Sequence, residues 1–485
     1  MPNRLVPGRG KPVSERHTSD TRACDTIGVM PRIAFYVVLA VASCLPAGAD
    51  DDPIVVSTEH PRLFLRPQRL RLLRRERERQ SMRWQQFDAL VGGNAPMPES
   101  AFALALYYEV AGDEAAGRKA IAWALSPEAI DLRQLALVYD WCQPLLTDSD
   151  RRALQARMTK RIGETASDES IPAARSRTLA AVALFDEVPQ IPQRELQKLA
   201  YTWWRDKIAR VAESGRNPVP RDDAYPLLEL LHAFQDNANI DLRESARSYF
   251  KDFPVDHLMS YYPAPFQGAE NDFYVGAMRR PADPDLRMAA LSRAADLAMV
   301  AYDVNGPESQ VLQGWLMHDK FLMRGAFGAP YEFMWANPYQ PGLSYYNVPL
   351  IFYDPDLGRL YARSSWEDTG EWFGAFDGVI QKFADGHPTA LNAQASLDPI
   401  DLHEAVICFG RTAVNGKPMR LKLEDEQPVF VVGLQPRRVY TIEVDDEEMF
   451  EAKSDIGGIL ELDDVPQGRT VAVRIGERID HGAAN

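Results

Sequence analysis

Residues 131–153 constrain the fold more than any other part of this 485-residue chain. They read DLRQLALVYDWCQPLLTDSDRRA, with apolar residues at the three- and four-residue spacing of a helix that buries one face. The segment Thr147–Asp150 then ends one helix and caps the next with carboxylates at its N-terminus. The stretch therefore predicts a helical hairpin that carries a buried Tyr-Asp-Trp cluster at residues 139–141.

Similar helical patterns continue from Pro67 to Met323, and one of them predicts a single arginine-rich helix over Gln68–Leu90. The connections between the patterns are short and rich in Pro, Gly, Asp or Asn, so neighbouring helices should run antiparallel. About eleven helices in sequential hairpins are typical of an α/α toroid or an α-solenoid. The chain has no fixed-period repeat, which favours the toroid.

Near residue 350 the pattern changes to short alternating strands bounded by turn residues. The expected strands are 360–363, 372–376, 406–409, 421–423, 429–432, 439–444, 459–462 and 470–475. We therefore predict an α+β multidomain protein: an N-terminal (α/α) toroid of helical hairpins over residues 55–345, then a C-terminal antiparallel β-sandwich over 346–480. Residues 425–476 form either an edge of this sandwich or a separate all-β unit.

Residues 1–49 have the order of an export segment, with the apolar run Ile33–Ala42 followed by small residues. The run is too short to span a membrane. Two processing routes stay open: cleavage after Ala49, or a lipobox-like sequence that would place a lipid anchor on Cys44. Met30 fits the true start of translation. Either route makes the protein exported, and it would then be periplasmic, anchored at the outer membrane or secreted.

The charge balance is acidic, with a formal net charge of −15 that becomes −18 once residues 1–49 are removed. An acidic surface disfavours nucleic acids and anionic membranes as partners. Cys142 and Cys408 lie in different predicted domains, so we expect two buried free thiols and no disulfide. No zinc-site spacing, phosphate loop or nucleophile elbow is present, and we expect no cofactor and no metal.

Two sets of motifs resemble known families. The segment His60–Leu65 (HPRLFL), followed by Leu137–Trp141 (LVYDW), resembles the heparinase II/III-like polysaccharide lyases. That resemblance implies a toroid with a β-sandwich, export, and β-elimination of uronate-containing glycans. Separately, Leu434–Tyr440 (LQPRRVY) is similar to the Leu-x-Pro-x-x-x-Tyr corner of fibronectin type III domains. This second resemblance implies a buried Tyr440 whose hydroxyl holds a strand crossover.

β-Elimination at a uronate removes a weakly acidic proton and expels the linked sugar, so it needs a neutralised carboxylate and two proton transfers. The lyase resemblance implies a Tyr and an Asn or His from the toroid, and a His from the sandwich or the seam. The catalytic candidates are Tyr274, Asn271 and His387. A helix-capping loop also explains the first two, and a surface turn also explains His387, which stands alone where the family has a His-x-His-x-Asp-like run.

Further candidates for substrate contact have planar, amide or cationic side chains. They are Asn217, Arg221, Trp315, Tyr331, Trp335, Asn337, Tyr339 and Tyr345. Sugar C–H faces stack on Trp and Tyr, and amides bond hydroxyls, so these residues are typical of a glycan cleft. Packing between the two domains explains the aromatic residues equally well, and a turn explains Asn217. The pairs His318-Asp319 and His403-Glu404 lack a third metal ligand.

These observations predict an exported carbohydrate-active protein whose partner is a polysaccharide or oligosaccharide. The first hypothesis is a polysaccharide lyase that cleaves uronate-containing glycans. The second is a non-catalytic glycan-binding or scaffold protein that retains the lyase fold. The third is a toroid glycoside hydrolase, which would need two carboxylates facing each other across the cleft.

Overall fold

The computed structural model describes residues 53–268, 272–277, 279, 285–320, 323, 325–395, 397–410, 417–423, 427–462 and 465–477. The predicted export segment, including Cys44, and the candidate Asn271 lie outside these ranges. The helices are α1 (Pro67–Glu78), α2 (Met82–Gly92), α3 (Ser100–Ala111), α4 (Glu114–Leu125), α5 (Leu132–Trp141), α6 (Asp148–Glu164), α7 (Ile171–Leu184), α8 (Gln190–Gln197), α9 (Arg210–Glu213), α10 (Ala224–Ala238), α11 (Arg247–Met259), α12 (Leu286–Tyr302), α13 (Pro307–His318) and α14 (Gly325–Trp335).

Two details of the helical region depart from a simple series. The predicted helix Gln68–Leu90 is broken, because Gln80 adopts a left-handed backbone with φ 50° and Ser81 caps the N-terminus of α2. An Asx- or Ser-type cap followed by apolar spacing is the start signal of a new helix. Between α8 and α9 the helix continues through two π-helical segments, Lys198–Trp203 and Arg205–Ala209.

The helices form a closed ring, because the last helix packs against the first ones. Phe333 of α14 stacks on Phe87 of α2 with 5.1 Å between ring centroids, and lies 5.5 Å from Trp84. Arg83 of α2 donates a hydrogen bond to the carbonyl of Ala336, directly after α14, at 2.8 Å. An α-solenoid would leave its two ends apart, so the prediction of a toroid is confirmed.

Asp140 fixes the N-terminal arm, residues 53–66, to this ring. Its fully buried carboxylate accepts hydrogen bonds from the backbone N–H groups of Arg62 (2.9 Å) and Leu63 (2.8 Å), and contacts His60 Nδ1 at 2.5 Å. Trp141 Nε1 donates to the carbonyl of Leu63 at 2.9 Å. The two motifs HPRLFL and LVYDW therefore bind each other, and the predicted burial of the Tyr-Asp-Trp cluster is confirmed.

Arginine side chains satisfy the last carbonyls of several ring helices. Arg74 donates two hydrogen bonds to the carbonyl of Glu109. Arg77 donates to the carbonyls of Val110 and Ala111, the last two residues of α3. Arg157 serves the end of α4 in the same way. Cations at a helix C-terminus satisfy carbonyls that have no intrahelical partner and oppose the partial negative charge there. Two of the arginines of α1, Arg74 and Arg77, are therefore explained by contacts with α3.

The strands follow a hairpin, β1 (Phe266–Gln267) and β2 (Asp272–Phe273), that lies within the helical region. They are β3 (Ile351–Asp354), β4 (Arg359–Arg363), β5 (Trp372–Phe376), β6 (Val379–Ala384), β7 (His387–Ala390), β8 (Ile400–Asp401), β9 (Val406–Phe409), β10 (Met419–Lys422), β11 (Val429–Val432), β12 (Val439–Val444), β13 (Glu448–Lys453), β14 (Leu460–Leu462) and β15 (Thr470–Glu477). They form three sheets, with the strand orders β3-β4-β5-β6-β7, β14-β11-β9-β8 and β10-β15-β12-β13.

Successive side chains of a strand point to opposite faces of its sheet, and through them the three sheets pack one after another onto the helical ring. In the first sheet, Tyr361 and Trp372 join the core of the helices, whereas Phe373 packs toward the second sheet. In the second sheet, Phe430 packs toward the first sheet and Val431 toward the third. This period-two pattern produces four layers with three hydrophobic interfaces. The pairing of β9 with β11 is parallel, and every other pairing among the described strands is antiparallel.

The corner predicted from the fibronectin-like motif is present. Tyr440 is 1% exposed, and its hydroxyl accepts a hydrogen bond from the backbone N–H of Gln435 at 3.0 Å. Cys142 and Cys408 are buried free thiols, as expected. Within the described ranges, no helix is long and apolar enough to cross a membrane. The domain boundaries at residues 345 and 425 stay a prediction.

We expect Asp140→Ala to lower the free energy of unfolding by about 3–5 kcal/mol, because it leaves two buried N–H groups without an acceptor. Urea and thermal unfolding followed by circular dichroism measure the change. The matched control Asp148→Asn, in the exposed first turn of α6, should cost less than about 1 kcal/mol. Equal effects of the two substitutions would contradict the role assigned to Asp140.

Candidate functional site

The candidate site lies where the ring meets the first sheet, and we call it the ring–sheet site. It consists of Tyr274 after β2, Trp315 on α13, Tyr345 and Tyr346 in a short 3-10 turn, and Trp366 and Asp368 between β4 and β5. Tyr274 lies 5.2 Å from Trp315 between ring centroids, and its hydroxyl donates a hydrogen bond to Asp368 at 3.0 Å. The site therefore joins residues from four separate parts of the chain.

Three aromatic side chains, Tyr345, Tyr346 and Trp366, form the outer part of the ring–sheet site, and we call them the aromatic step. Tyr346 is 51% exposed and stacks on the buried Tyr345 with 4.4 Å between ring centroids. Trp366 and His318 contact Tyr345 edge-on, at 5.5 Å and 5.4 Å. Trp366 is held by a hydrogen bond from its Nε1 to the carbonyl of Val348. A flat, partly exposed aromatic surface that is fixed from behind is suited to stacking against a sugar ring.

Tyr274 is a hydrogen-bond donor in this site. Burial raises the pKa of its phenol, and the neighbouring carboxylate of Asp368 raises this pKa further. Arg293 and Arg363 lie close enough to oppose that shift, but the net direction is upward. The phenol therefore keeps its proton at neutral pH. It can donate a hydrogen bond or a proton, and it is a poor base.

Two buried guanidinium groups lie behind the aromatic rings. Arg293 lies over Trp315 at 4.3 Å and is ion-paired with Asp319, while Arg363 lies over Trp366 at 4.6 Å. Among the described residues, Arg293 Nη1 and Arg363 Nε have no hydrogen-bond partner. Burial lowers the pKa of both groups, which nevertheless stay charged at neutral pH. Each guanidinium group thus keeps its charge and retains an N–H group without a hydrogen-bond partner among the described residues.

A second group of buried residues supports Trp315 from inside the ring. Tyr261 lies 4.6 Å from Trp315 and donates a hydrogen bond to Asp296 at 2.5 Å, and Asp296 also contacts His257 Nδ1 at 2.9 Å. Arg221 lies over Tyr261 at 4.2 Å. Burial and the charge of Arg221 lower the pKa of His257, so this imidazole is neutral near pH 7. Arg221, predicted to contact substrate, lies beneath the aromatic residues and fixes Tyr261.

The three predicted catalytic residues are not brought together by the described contacts. His387 begins β7, the edge strand of the first sheet, where its side chain is exposed. In the described part of the chain, no hydrogen bond or ring contact joins His387 to Tyr274. Asn271 lies outside the described residues. The catalytic roles stay predictions, and Tyr274 is the candidate that lies within an organised site.

Four of the predicted substrate contacts lie elsewhere in the ring. Tyr331 and Trp335 are buried in the ring core, where Tyr331 donates to Glu99 and Trp335 Nε1 donates to the hydroxyl of Tyr225 at 3.0 Å. Tyr339 is exposed, but its hydroxyl donates to Glu76 at 2.8 Å, and Asn337 accepts the backbone N–H of Tyr339. The first two contacts hold α14 against the start of α3 and against α10, and the bond to Glu76 holds the following turn against α1. The four residues are therefore not part of the ring–sheet site.

Asn217 also has a structural role. Its side-chain oxygen accepts hydrogen bonds from the backbone N–H of Val219 at 3.1 Å and from the hydroxyl of Tyr249 at 2.9 Å. An Asn that bonds the backbone two residues ahead is typical of a turn. The turn explanation of Asn217 is therefore the one that agrees with the geometry.

Sequence reasoning missed Trp366, Asp368, Arg293 and Arg363. The available signal was the segment RSSWEDTG after β4, in which a Trp and two acids interrupt a strand pattern. Polar and aromatic residues in a loop between two buried strands often belong to a site. The sequence around Arg293 did not indicate a site, because a single arginine on an alanine-rich helix is usually exposed to solvent.

A groove of about 1000 Å³ lies between the end of α9, the start of α11 and the β3–β4 turn. Two of its carboxylates have structural partners: Asp354 accepts the backbone N–H groups of Asp356 and Leu357, and Asp455 accepts those of Gly457 and Ile459. They shape their own turns, so this groove is a weaker candidate than the ring–sheet site. Among the described residues, no group of three His, Cys, Asp or Glu side chains could hold a metal ion.

Comparisons with known proteins do not identify a family. No family model matches the chain, and no curated protein matches it. A solved structure described as "Glycoside hydrolase" matches with a TM-score of 0.30 and 11% sequence identity, covering 78% of this chain and 71% of that chain. Similarity this low supports no argument about activity. The resemblance to the heparinase II/III-like lyases therefore stays a prediction, and the functional argument rests on the residues of the site.

We expect Tyr274→Phe to change the free energy of unfolding by less than about 1 kcal/mol, because the hydroxyl bonds an exposed carboxylate that water can solvate instead. Thermal and urea unfolding measure this difference. Trp315→Ala is the contrasting variant, expected to cost about 3–5 kcal/mol because it empties a buried ring position. A large loss in Tyr274→Phe would mean that the phenol is structural.

Proposed function

We propose that this protein is carbohydrate-active and binds a uronate-containing glycan chain at the ring–sheet site. One combination of features carries the proposal: the exposed Tyr346 stacks on Tyr345, which contacts Trp366, and buried guanidinium groups lie over Trp366 and Trp315. A pyranose ring would stack its C–H face on Tyr346, while its carboxylate would be attracted by Arg293 and Arg363. We further infer export from the apolar segment that precedes Ala49.

Binding without cleavage is the function that the geometry favours. The phenol of Tyr274 is bonded to Asp368 and keeps its proton, so it cannot remove a proton from the sugar. His387, the imidazole predicted to act with it, is exposed on an edge strand. A glycan-binding protein needs neither group as a base. The aromatic step and the guanidinium groups are sufficient for such a role.

Elimination at the same site is a second candidate, and one observation favours it. Arg293 and Arg363 both lie close to Tyr274, where they would neutralise a uronate carboxylate and make its neighbouring C–H more acidic. Tyr274 would then donate its proton to the leaving sugar oxygen. His318, which contacts Tyr345 at 5.4 Å, is the imidazole that borders the site and would accept the sugar proton.

We expect Tyr346→Ala and Trp366→Ala each to weaken binding of a uronate polymer about tenfold, equivalent to roughly 1.4 kcal/mol of lost stacking. Isothermal titration calorimetry with polyuronate oligosaccharides measures the affinity. Tyr339→Ala is the matched control, since it removes a tyrosine that is 57% exposed and lies outside the site. Equal losses in all three variants, or no loss in the first two, would refute binding at the aromatic step.

The elimination candidate predicts ultraviolet absorbance of an unsaturated product when the protein is mixed with a panel of uronate polysaccharides. Tyr274→Phe should reduce the rate at least about a hundredfold, the usual contribution of a positioned acid, and His387→Ala should leave it unchanged. New reducing ends without absorbance would instead indicate hydrolysis. Binding with neither product supports the non-catalytic function and rejects elimination.

A further inference from the structure

A second cavity, of about 650 Å³, lies beside the N-terminal arm and shares no lining residue with the ring–sheet site. The arm, the start of α1, the end of α3 and the end of α10 form its walls. The arm is held there by Asp140, so the cavity is a fixed part of the fold. No step of the proposed function uses it.

Cationic groups dominate one wall of this arm cavity. Arg71 is exposed, and Arg74 is about half exposed. The N-terminus of α1, at Arg66 and Pro67, lines the same cavity and has no side-chain cap and no acidic residue in its first turn. Arg62 also lines it; this residue is 2% exposed, and its Nε has no hydrogen-bond partner among the described residues. An uncapped helix N-terminus beside arginines attracts oxyanions.

Glu109 is the acidic residue that pairs with Arg74 at this cavity. It is 8% exposed, and its Oε2 lies 3.6 Å from Arg74 Nη2. Burial raises the pKa of Glu109 to about 7, Arg74 lowers it, and Asp140 raises it again. The charged and titratable groups around Glu109 come from four elements: Arg71 and Arg74 of α1, Asp140 and Cys142 of α5, Asp236 of α10, and Glu59, His60 and Arg62 of the arm.

Most of these neighbours already have charge partners. Asp140 is paired with His60 of the arm, and Arg62 is paired with Asp186. Asp236 is paired with Arg66 at 3.2 Å. Burial raises the pKa of the Cys142 thiol, which is therefore neutral. Among the described residues, Glu109 is the carboxylate that forms an ion pair with Arg74. Protonation of Glu109 therefore releases one positive charge toward the cavity.

We propose that the arm cavity is a proton-linked oxyanion site. It binds a phosphate, sulfate or carboxylate group against Arg71, Arg74 and the N-terminus of α1, and Glu109 competes with that group for Arg74. Arg74 also donates to the backbone carbonyl of Glu109 at every pH. Below about pH 7 the Glu109 side chain is neutral and does not compete with the anion for the Arg74 charge; above about pH 7, the Glu109 carboxylate opposes the anion. Anion affinity therefore rises as the pH falls. By the same linkage, a bound anion favours protonation of Glu109.

Inorganic sulfate is the probe that tests the proposal, because its charge is constant across this pH range. In calorimetric titrations of the purified whole protein, we expect about tenfold tighter binding at about pH 6 than at about pH 8, the ratio of protonated Glu109 at these two values. Glu109→Gln should bind tightly at both pH values and lose the pH dependence. A monosaccharide phosphate in place of sulfate distinguishes a sugar-linked anion, which would bind more tightly, from a free ion.

Two variants separate a built site from general charge effects. Arg71→Ala should weaken sulfate binding at both pH values, and folding is preserved because its side chain is exposed. Arg75→Ala removes an exposed arginine of the same helix that does not line the cavity, and it should leave binding unchanged. No sulfate binding, a pH-independent affinity in the natural protein, or equal losses in both arginine variants would overturn the proposal.

Discussion

The hydrogen bonds that Asp140 makes to the N-terminal arm are the constraint on which the rest of the structure depends. A buried carboxylate is stable only when donors surround it, and here the arm supplies two backbone N–H groups and an imidazole. The arm leads directly into α1, where Arg74 and Arg77 satisfy carbonyls at the end of α3. The same helix, through Arg69, binds the carbonyl of Met334 in α14 and so helps to close the ring.

Ring closure in turn determines where the functional groups lie. The last helices and the turn after them hold Trp315, Tyr345 and Tyr346 at the border of the first sheet. The sheet contributes its own residues because strands alternate: Arg363 follows Ala362 in β4 and faces the helices, while Ala362 faces the second sheet. Neither the helical ring nor the first sheet supplies all the residues of the ring–sheet site. The site forms where a helical turn and a strand end meet.

The sequence allowed the main elements to be predicted, and long-range packing explains what it did not reveal. The strands Trp372–Phe376 and Val439–Val444 were expected with these bounds, whereas β7 was missed because Asp385, Gly386 and Pro388 read as a turn. Proline is tolerated there because β7 is an edge strand. The sequence pattern could not show that Tyr331 lies in the ring core while Tyr345 lies at the ring–sheet site. The bond between Tyr274 and Asp368 joins residues 94 positions apart, which no local pattern encodes.

Charge explains why an aromatic step and buried guanidinium groups occur together. The chain carries a formal net charge of −15, which opposes the approach of an acidic glycan. Salt screens this repulsion beyond about 8 Å, so an acidic chain can reach the surface but gains no electrostatic steering. In the proposed binding mode, attraction is limited to short distances: stacking on Tyr346 would hold a sugar while Arg293 and Arg363 would attract its carboxylate. Such a site depends on the rigidity of its aromatic residues, because a displaced ring would move the carboxylate out of reach of both guanidinium groups.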